Sequence, residues 1–284
     1  MSKLTIRDVQ LSGKKVLVRV DFNVPLDNER AVTDTSRIVA ALPTIRYLLE
    51  QGAKVALVSH LGRPKGQIKE ELRMGPVAAS LAEITGLNVV KLDTCIGEQV
   101  WNAVEALGSG EVVLLENVRF YPGEKKNDPE FAEALAAHFD LHVMDAFGTA
   151  HRAHASVAGV SRYLTSVAGF LIEKEIDYLG RAVANPERPF VAIIGGAKVS
   201  GKLEVLRNLI DKVDFLLIGG GMAYTFLKAQ GHSTGNSLLE EELLDTAKGI
   251  LAAAEGKSVT LLLPVDNVIA DKFDNEAEIQ TVAN

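Results

Sequence analysis

Four apolar runs of this sequence each end in residues that bind anions. RVDFNVP offers Asp21 and Asn23, SHLGRPKG offers His60, Arg63 and Lys65, ENVRFYPGEKKND offers Arg119, and DAFGTAHRAHAS offers His151, Arg152 and His154. A fifth segment, TDTSRI, puts Arg37 at the start of a helical pattern, where free backbone N–H groups already favour negative charge. Guanidinium and imidazole donors beside an Asp and an Asn suit a small substrate that carries phosphate, carboxylate and hydroxyl groups. A single loop cation is usually just solvated. Four such loops, each following a strand, favour one shared site.

A second set reads differently. IIGGAKVSGKL follows G-x-x-x-x-G-K from Gly196 and then fails, because Leu203 stands where a P-loop needs Ser or Thr for Mg²⁺. A strand, the pair Gly195 and Gly196, and a helix start remain, with Lys198 and Lys202 four residues apart and so on one helix face. IGGGMAYTFL repeats the pattern through Gly219 and Gly220. Glycines here either let backbone approach a polyphosphate or permit tight strand-to-helix packing, and two successive strands ending this way favour a nucleotide. His151 and His154 lack a third ligand at metal-binding spacing, and Cys95 has no neighbour in sequence that would lower its pKa, so neither is read as a reaction centre.

The elements that must position these residues alternate between short β-branched strands and helical stretches. Strands are expected at Lys15–Phe22, Lys54–His60, Asn88–Leu92, Glu111–Leu115 and Leu141–Ala146, with helices at Thr35–Glu50, Val77–Thr85, Glu98–Leu107 and Pro129–Phe139. Continuous apolar strands flanked by helices predict an α/β fold with a doubly wound parallel sheet, whose ligands lie beyond the carboxyl ends of the strands. After Gly169 a helical pattern with Phe170, Leu171, Ile172, Ile176 and Leu179 leads to the breaker NPERP. The predicted domains are therefore 1–168, a connecting or hinge helix 169–185, and 186–284. In the last, strands are expected at Phe190–Ile194, Phe215–Ile218 and Val259–Val265, and helices at Ser200–Val213, Met222–Gln230 and Leu238–Glu255. The pattern stops after about four strands' worth of sequence and the final FDNEAEIQTVAN is polar and closes nothing, so this second domain reads as incomplete.

Composition sets outer bounds. The 284 residues are 47% hydrophobic and carry a net charge of −7, which argues against nucleic acid as a partner. The longest mainly apolar stretch without a charged residue, Phe215–Leu227, has 13 residues, too few to span a bilayer. Cys95 is the one cysteine and MSKLTIRD has no apolar signal core, so a reducing, cytoplasmic location is expected.

Taken together and in order, RVDFNVP, SHLGRPKG, ENVRFYPGE, DAFGTAHRAHAS, IIGGAKVSGK, IGGGMAYTFL and LPVDNVIADKF closely resemble the phosphoglycerate kinases of bacterial type. The resemblance runs along essentially the whole chain. It implies two Rossmann-like domains and transfer of a phosphoryl group between 1,3-bisphosphoglycerate and ADP, giving 3-phosphoglycerate and ATP, with Mg²⁺, by a glycolytic monomer. It matches Asp21, Asn23, Arg37, His60, Arg63, Arg119 and Arg152 to the glycerate site, with Arg37 nearest the transferred group. Lys198 and Lys202 match lysines on the nucleotide phosphates and migrating phosphoryl, and Gly195, Gly196, Gly219 and Gly220 match nucleotide-facing loops. Arg37 and Lys198 are the implied catalytic residues. Family segments resembling NGPMGVFE, GGGDS and STGGGAS do not occur in these 284 residues, so the metal ligands are unassigned. The alternative function is a catalytically weak fragment that only binds the glycerate.

Overall fold

The computed structural model describes residues 3–184, 186–272 and 274–284. Asn185, the last residue of the expected connector, and Phe273 of LPVDNVIADKF lie outside the described residues, as do Met1 and Ser2. The chain forms two compact units that divide between Tyr178 and Leu179.

In the first unit the elements run β1 Lys15–Val20, α1 Ser36–Glu50, β2 Lys54–Val58, α2 Gly75–Thr85, β3 Asn88–Lys91, α3 Glu98–Glu105 and β4 Glu111–Leu114. They continue with α4 Pro122–Lys126, α5 Pro129–Ala136, β5 Leu141–Asp145, α6 Phe147–Ala150, β6 Ser166–Ala168 and α7 Phe170–Ala184, in which the division between the units falls. The six strands form one parallel sheet in the order β3-β4-β2-β1-β5-β6. Successive strand residues feed two separate cores: Val16, Val18, Val55, Leu57, Val112 and Leu114 pack on one face, while Leu17, Ala56, Val58, Val113 and Leu115 pack on the other. Helices α1 and α2 cover the first face, α3 and α5 the second. Because both faces are buried, the strands carry uninterrupted apolar runs, which is why the sequence pattern reads as a parallel sheet.

The second unit contains β7 Val191–Gly195, α8 Leu203–Ile210, β8 Phe215–Gly219, α9 Met222–Ala229, α10 Leu244–Gly256, β9 Thr260–Leu262, β10 Asp266–Ala270 and β11 Ile279–Ala283. A parallel three-stranded sheet, β7-β8-β9, packs Ala192, Leu216 and Ile218 against Leu206 of α8, Phe226 of α9 and Ile250 of α10. Alternate residues on the opposite face, Val191, Ile193 and Leu262, are exposed.

Three expectations need correction here. The helix expected at Ser200–Val213 is a 3₁₀ turn, Ser200–Lys202, followed by α8, so Lys198 precedes the helix and does not share a helical face with Lys202. The helix expected from Leu238 begins at Leu244, after a short turn at Glu241–Leu243. FDNEAEIQTVAN, read as polar and closing nothing, contributes β11, which pairs antiparallel with β10. Among the described residues no helix is long and apolar enough to cross a membrane.

Candidate active site

The sheet order puts the ends of β4, β2, β1 and β5 side by side. Each carries one of the four cationic loops, so the loops must converge. They do: Asp21, Asn23, Arg37, His60, Arg63, Arg119 and Arg152 all line one cavity of about 240 Å³, together with Gly62, Gly148 and Thr149. All seven residues singled out for the glycerate site are thus brought together. His151 is not among those lining residues; its Nε2 accepts from Arg152 Nε at 3.2 Å.

Several of the polar side chains are held by partners within the protein. Arg37, near the start of α1, donates to Asp21 Oδ2 at 2.6 Å. Asn23 Oδ1 accepts from the Gly62 N–H at 2.8 Å, and Arg119 Nη1 donates to the Gly62 carbonyl at 2.9 Å. Gly62 sits at φ +61°, and an added Cβ would meet the Leu72 methyl groups, so this turn favours glycine. Asn117 accepts from the N–H groups of Leu61 and Arg119 and donates to the carbonyls of Leu61 and Leu72, knitting the β2 and β4 loops together.

Electrostatically the cavity is strongly positive. Arg119 is nearly buried, and its Nε has no hydrogen-bond partner in the protein. Burial, Arg19 and Arg152 all lower its pKa, opposed by Glu124 and Asp21. His60 is pushed down to about 2, first by burial and then by Arg19, Arg119, Arg37 and His154, so its ring is neutral. A buried guanidinium donor left unpaired is costly unless a ligand oxygen takes it.

Beneath the pocket lies a polar layer that the sequence reading missed. Arg19 in β1 and Glu124 in α4 are both fully buried and are bridged by Ser156: Arg19 Nε donates to Ser156 Oγ at 2.9 Å, and that hydroxyl donates to Glu124 Oε1 at 2.6 Å. The available signal was an arginine inside the apolar strand KVLVRV, which must find a partner if the strand is buried.

The second unit gathers its residues less tightly. Gly195 and Gly219 are paired at the ends of β7 and β8, and Met222 N–H donates to the Gly196 carbonyl at 2.8 Å. Gly220, at φ +66°, approaches so closely that a Cβ would lie 3.1 Å from Gly196 N and O. The glycines therefore perform the close packing weighed for them, and they leave backbone exposed beside it. Lys198 and Lys202 are exposed on the loop that follows β7. Glu240, missed because its segment reads as helical, accepts from Val199 N–H, Ser200 N–H and the Ser200 hydroxyl and so holds that loop. Burial raises the Glu240 pKa, but these donors and the Lys198 charge outweigh it and lower it. Two cavities of this unit, about 540 and 480 Å³, are lined by other residues. Among the described residues no three His, Cys, Asp or Glu stand together as a metal site.

Guanidinium groups converging on a small polar cavity select a polyanion, and paired glycine loops flanked by lysines select phosphate again. The class so defined is a phosphoryl-transfer enzyme built from two α/β units. The family model described as phosphoglycerate kinase matches residues 6–284. The phosphoglycerate kinase of Moorella thermoacetica is 59% identical over 283 residues, covering 100% of this chain and 72% of the relative. That of a Picosynechococcus strain is 56% identical, covering 99% and 70%. The solved structure of phosphoglycerate kinase from Coxiella burnetii superposes with a TM-score of 0.85 at 44% identity, covering 99% of this chain and 71% of that one. The chain belongs to the phosphoglycerate kinase family, whose members are phosphotransferases of glycolysis.

Proposed function

We propose that the first unit binds the glycerate substrate in the 240 Å³ cavity and that the second binds ADP or ATP along its glycine loops. Asp21, Asn23, His60, Arg63, Arg119 and Arg152 bind the phosphate, carboxylate and hydroxyl of 3-phosphoglycerate. Arg37 and Lys198 act on the transferred group. Gly195, Gly196, Gly219 and Gly220 let backbone approach the nucleotide, and Lys198 and Lys202 meet its phosphates. In the forward reaction an anionic oxygen of the ADP β-phosphate attacks the phosphorus of the acyl phosphate, the bond from phosphorus to the acyl oxygen breaks, and 3-phosphoglycerate leaves as a carboxylate. Nucleophile and leaving group are both anionic, so no proton transfer or covalent intermediate is required. The protein's work is alignment and charge stabilisation.

With the substrates assigned to different units, transfer requires their approach, and α7 with its ends is the hinge. Closure then also excludes water from the acyl phosphate. Mg²⁺ would accompany the nucleotide phosphates and neutralise their charge; among the described residues no three His, Cys, Asp or Glu stand together to hold it. The enzyme acts on small molecules as a cytoplasmic monomer.

The observation that carries this reading is that seven polar residues from five separate segments line one cavity, with the buried Arg119 Nε donor unpaired beside it. Titration calorimetry with 3-phosphoglycerate, repeated on Arg119→Met, tests it. Binding by the wild type that falls about tenfold or more in the variant supports the site, since hydrogen bonds to charged groups contribute roughly 1.5–3 kcal/mol. Equal affinity for the two overturns it.

A further inference from the structure

Arg19 contributes nothing to the cavity wall, yet each of its three guanidinium nitrogens has a partner. It is completely buried as the fifth residue of β1. Its Nε is held by Ser156 Oγ at 2.9 Å, its Nη1 by the Val20 carbonyl, and its Nη2 lies 3.2 Å from His60 Nδ1. The charge is balanced through the Ser156 hydroxyl by Glu124, whose Oε2 also accepts from the Ser156 N–H at 2.9 Å. The guanidinium is therefore fixed in place from both ends.

A guanidinium can only donate, so His60 Nδ1 must accept, and a neutral imidazole then carries its one hydrogen on Nε2. The obvious competing arrangement is a carboxylate that takes a proton from Nδ1. It is not made, because Asp21 Oδ1 stands 3.9 Å away, beyond hydrogen-bonding distance. The charged and titratable groups facing His60 are Arg19 from β1, Asp21 just after it, Arg37 from α1, Arg119 from the β4 loop and His154 from the β5 loop. The positive groups outnumber the one carboxylate, which reinforces the neutral form.

We propose that Arg19 is a positioning residue that holds His60 as the neutral Nε2–H tautomer, so that His60 meets an oxygen of the bound glycerate as a directional hydrogen-bond donor and not as a cation. This rests on the reading of the cavity as the glycerate site. It also means that the charge of the pocket does not change through His60 between pH 5 and 8, so His60 imposes no fall in substrate affinity as pH rises across that range.

The test is nitrogen-15 NMR of the imidazoles in the full chain, which has six histidines. His60 is assigned by the signals lost in His60→Gln. The expected result is a neutral Nε2–H pattern for His60 with no titration from pH 5 to 8, and a change in its Nε2 signal on adding 3-phosphoglycerate. Titration within that range, or an Nδ1–H pattern, overturns the proposal. A second variant, Arg19→Met with Glu124→Gln, removes both buried charges together, and Trp101 fluorescence reports whether it folds. If it folds, the Nδ1–H tautomer of His60 should become populated, because no donor then faces Nδ1, and affinity for 3-phosphoglycerate at pH 7 should fall about tenfold. An unchanged tautomer and affinity would overturn the role of Arg19, and if the double variant does not fold, the wild-type titration decides alone. A neutral Nε2–H His60 that does not respond to 3-phosphoglycerate overturns the donor role and the glycerate reading together. A His60 that responds while titrating between pH 5 and 8 overturns this proposal and leaves that reading intact.

Discussion

Replacing Asp145 by Asn should stabilise the first unit at neutral pH and progressively less in acid. Asp145 ends β5, is fully buried, and Oδ1 accepts from the Leu171 N–H at 2.9 Å in the first turn of α7. The neighbouring Phe170 N–H is taken by the Thr44 hydroxyl of α1 at 2.9 Å, so α7 is capped by side chains from two other elements. A Cβ at Gly169 would collide with the Asp145 carboxyl, which keeps that approach for glycine alone. Oδ2 has no partner, and the residue lines a cavity of about 90 Å³ with Asp21 and Arg37. Burial pushes its pKa from 3.8 up to about 6, against the Thr44 hydroxyl and the N–H groups of Leu171 and Ile172.

The sign follows from proton binding. Between pH 3.8 and about 6 the folded chain keeps a proton that the unfolded chain has lost, so stability falls as pH rises through that window and is level above it. A shift of about two units at about 1.4 kcal/mol each makes the ionised carboxylate cost roughly 3 kcal/mol at pH 8, and about 0.5 kcal/mol at pH 4. Asn keeps the acceptor for Leu171 but brings an extra N–H, whose penalty of about 1–3 kcal/mol is the same at every pH. The stability difference between Asp145→Asn and wild type should therefore be about 2 kcal/mol more favourable to the variant at pH 8 than at pH 4. Urea unfolding followed by the fluorescence of Trp101, the chain's one tryptophan, measures it in the unit that holds Asp145. A difference that stays constant from pH 4 to pH 8 would refute the reasoning, whatever its size.

Arg37→Ala and Arg152→Ala should each weaken 3-phosphoglycerate binding by about 10- to 150-fold with little loss of fold stability, because each removes charge-assisted hydrogen bonds from an exposed side chain. Calorimetry showing unchanged affinity in both removes the cavity as the substrate site. Lys198→Met should lower kcat far more than it raises KM for ADP, since a cation facing the migrating phosphoryl matters most where charge develops. The opposite split would make Lys198 an anchor for bound phosphates. Gly220→Ala forces a side chain into φ +66° and against Gly196 backbone at 3.1 Å, and should cost the second unit about 1–3 kcal/mol, read as a lower urea midpoint. A midpoint equal to wild type would mean that the loop yields freely and that the close approach is unimportant.

What could be read from the chain, and what could not, divides along the range of the interaction. The strands of the first unit are legible because burial on both faces writes a continuous apolar run into each. Once they are placed in one parallel sheet, the loops at their carboxyl ends have to meet, so Asp21, His60, Arg119 and Arg152 could be grouped without knowing a single distance. The same logic fails where a strand carries no such run. Ser166–Ala168 is too short for a pattern, and the β10–β11 hairpin is largely exposed and alternates weakly, so its second strand reads as a polar tail. Glu240 was absorbed into a helical period because its partners, Val199 and Ser200, are about 40 residues away. Arg19 and Glu124 meet only through Ser156, and Asp145 is explained by Leu171 and Thr44. Yet each strand-borne charge left one local mark, a charge within or ending an apolar strand: Arg19 in KVLVRV and Asp145 in LHVMD. Such a residue cannot be solvated there and must be paired, protonated or poised against a ligand. Both lie at or next to the strand ends where the cavity opens, which makes a buried charge near the carboxyl edge of a parallel sheet a sign of the layer that supports a site, as the cationic loops are a sign of the site itself.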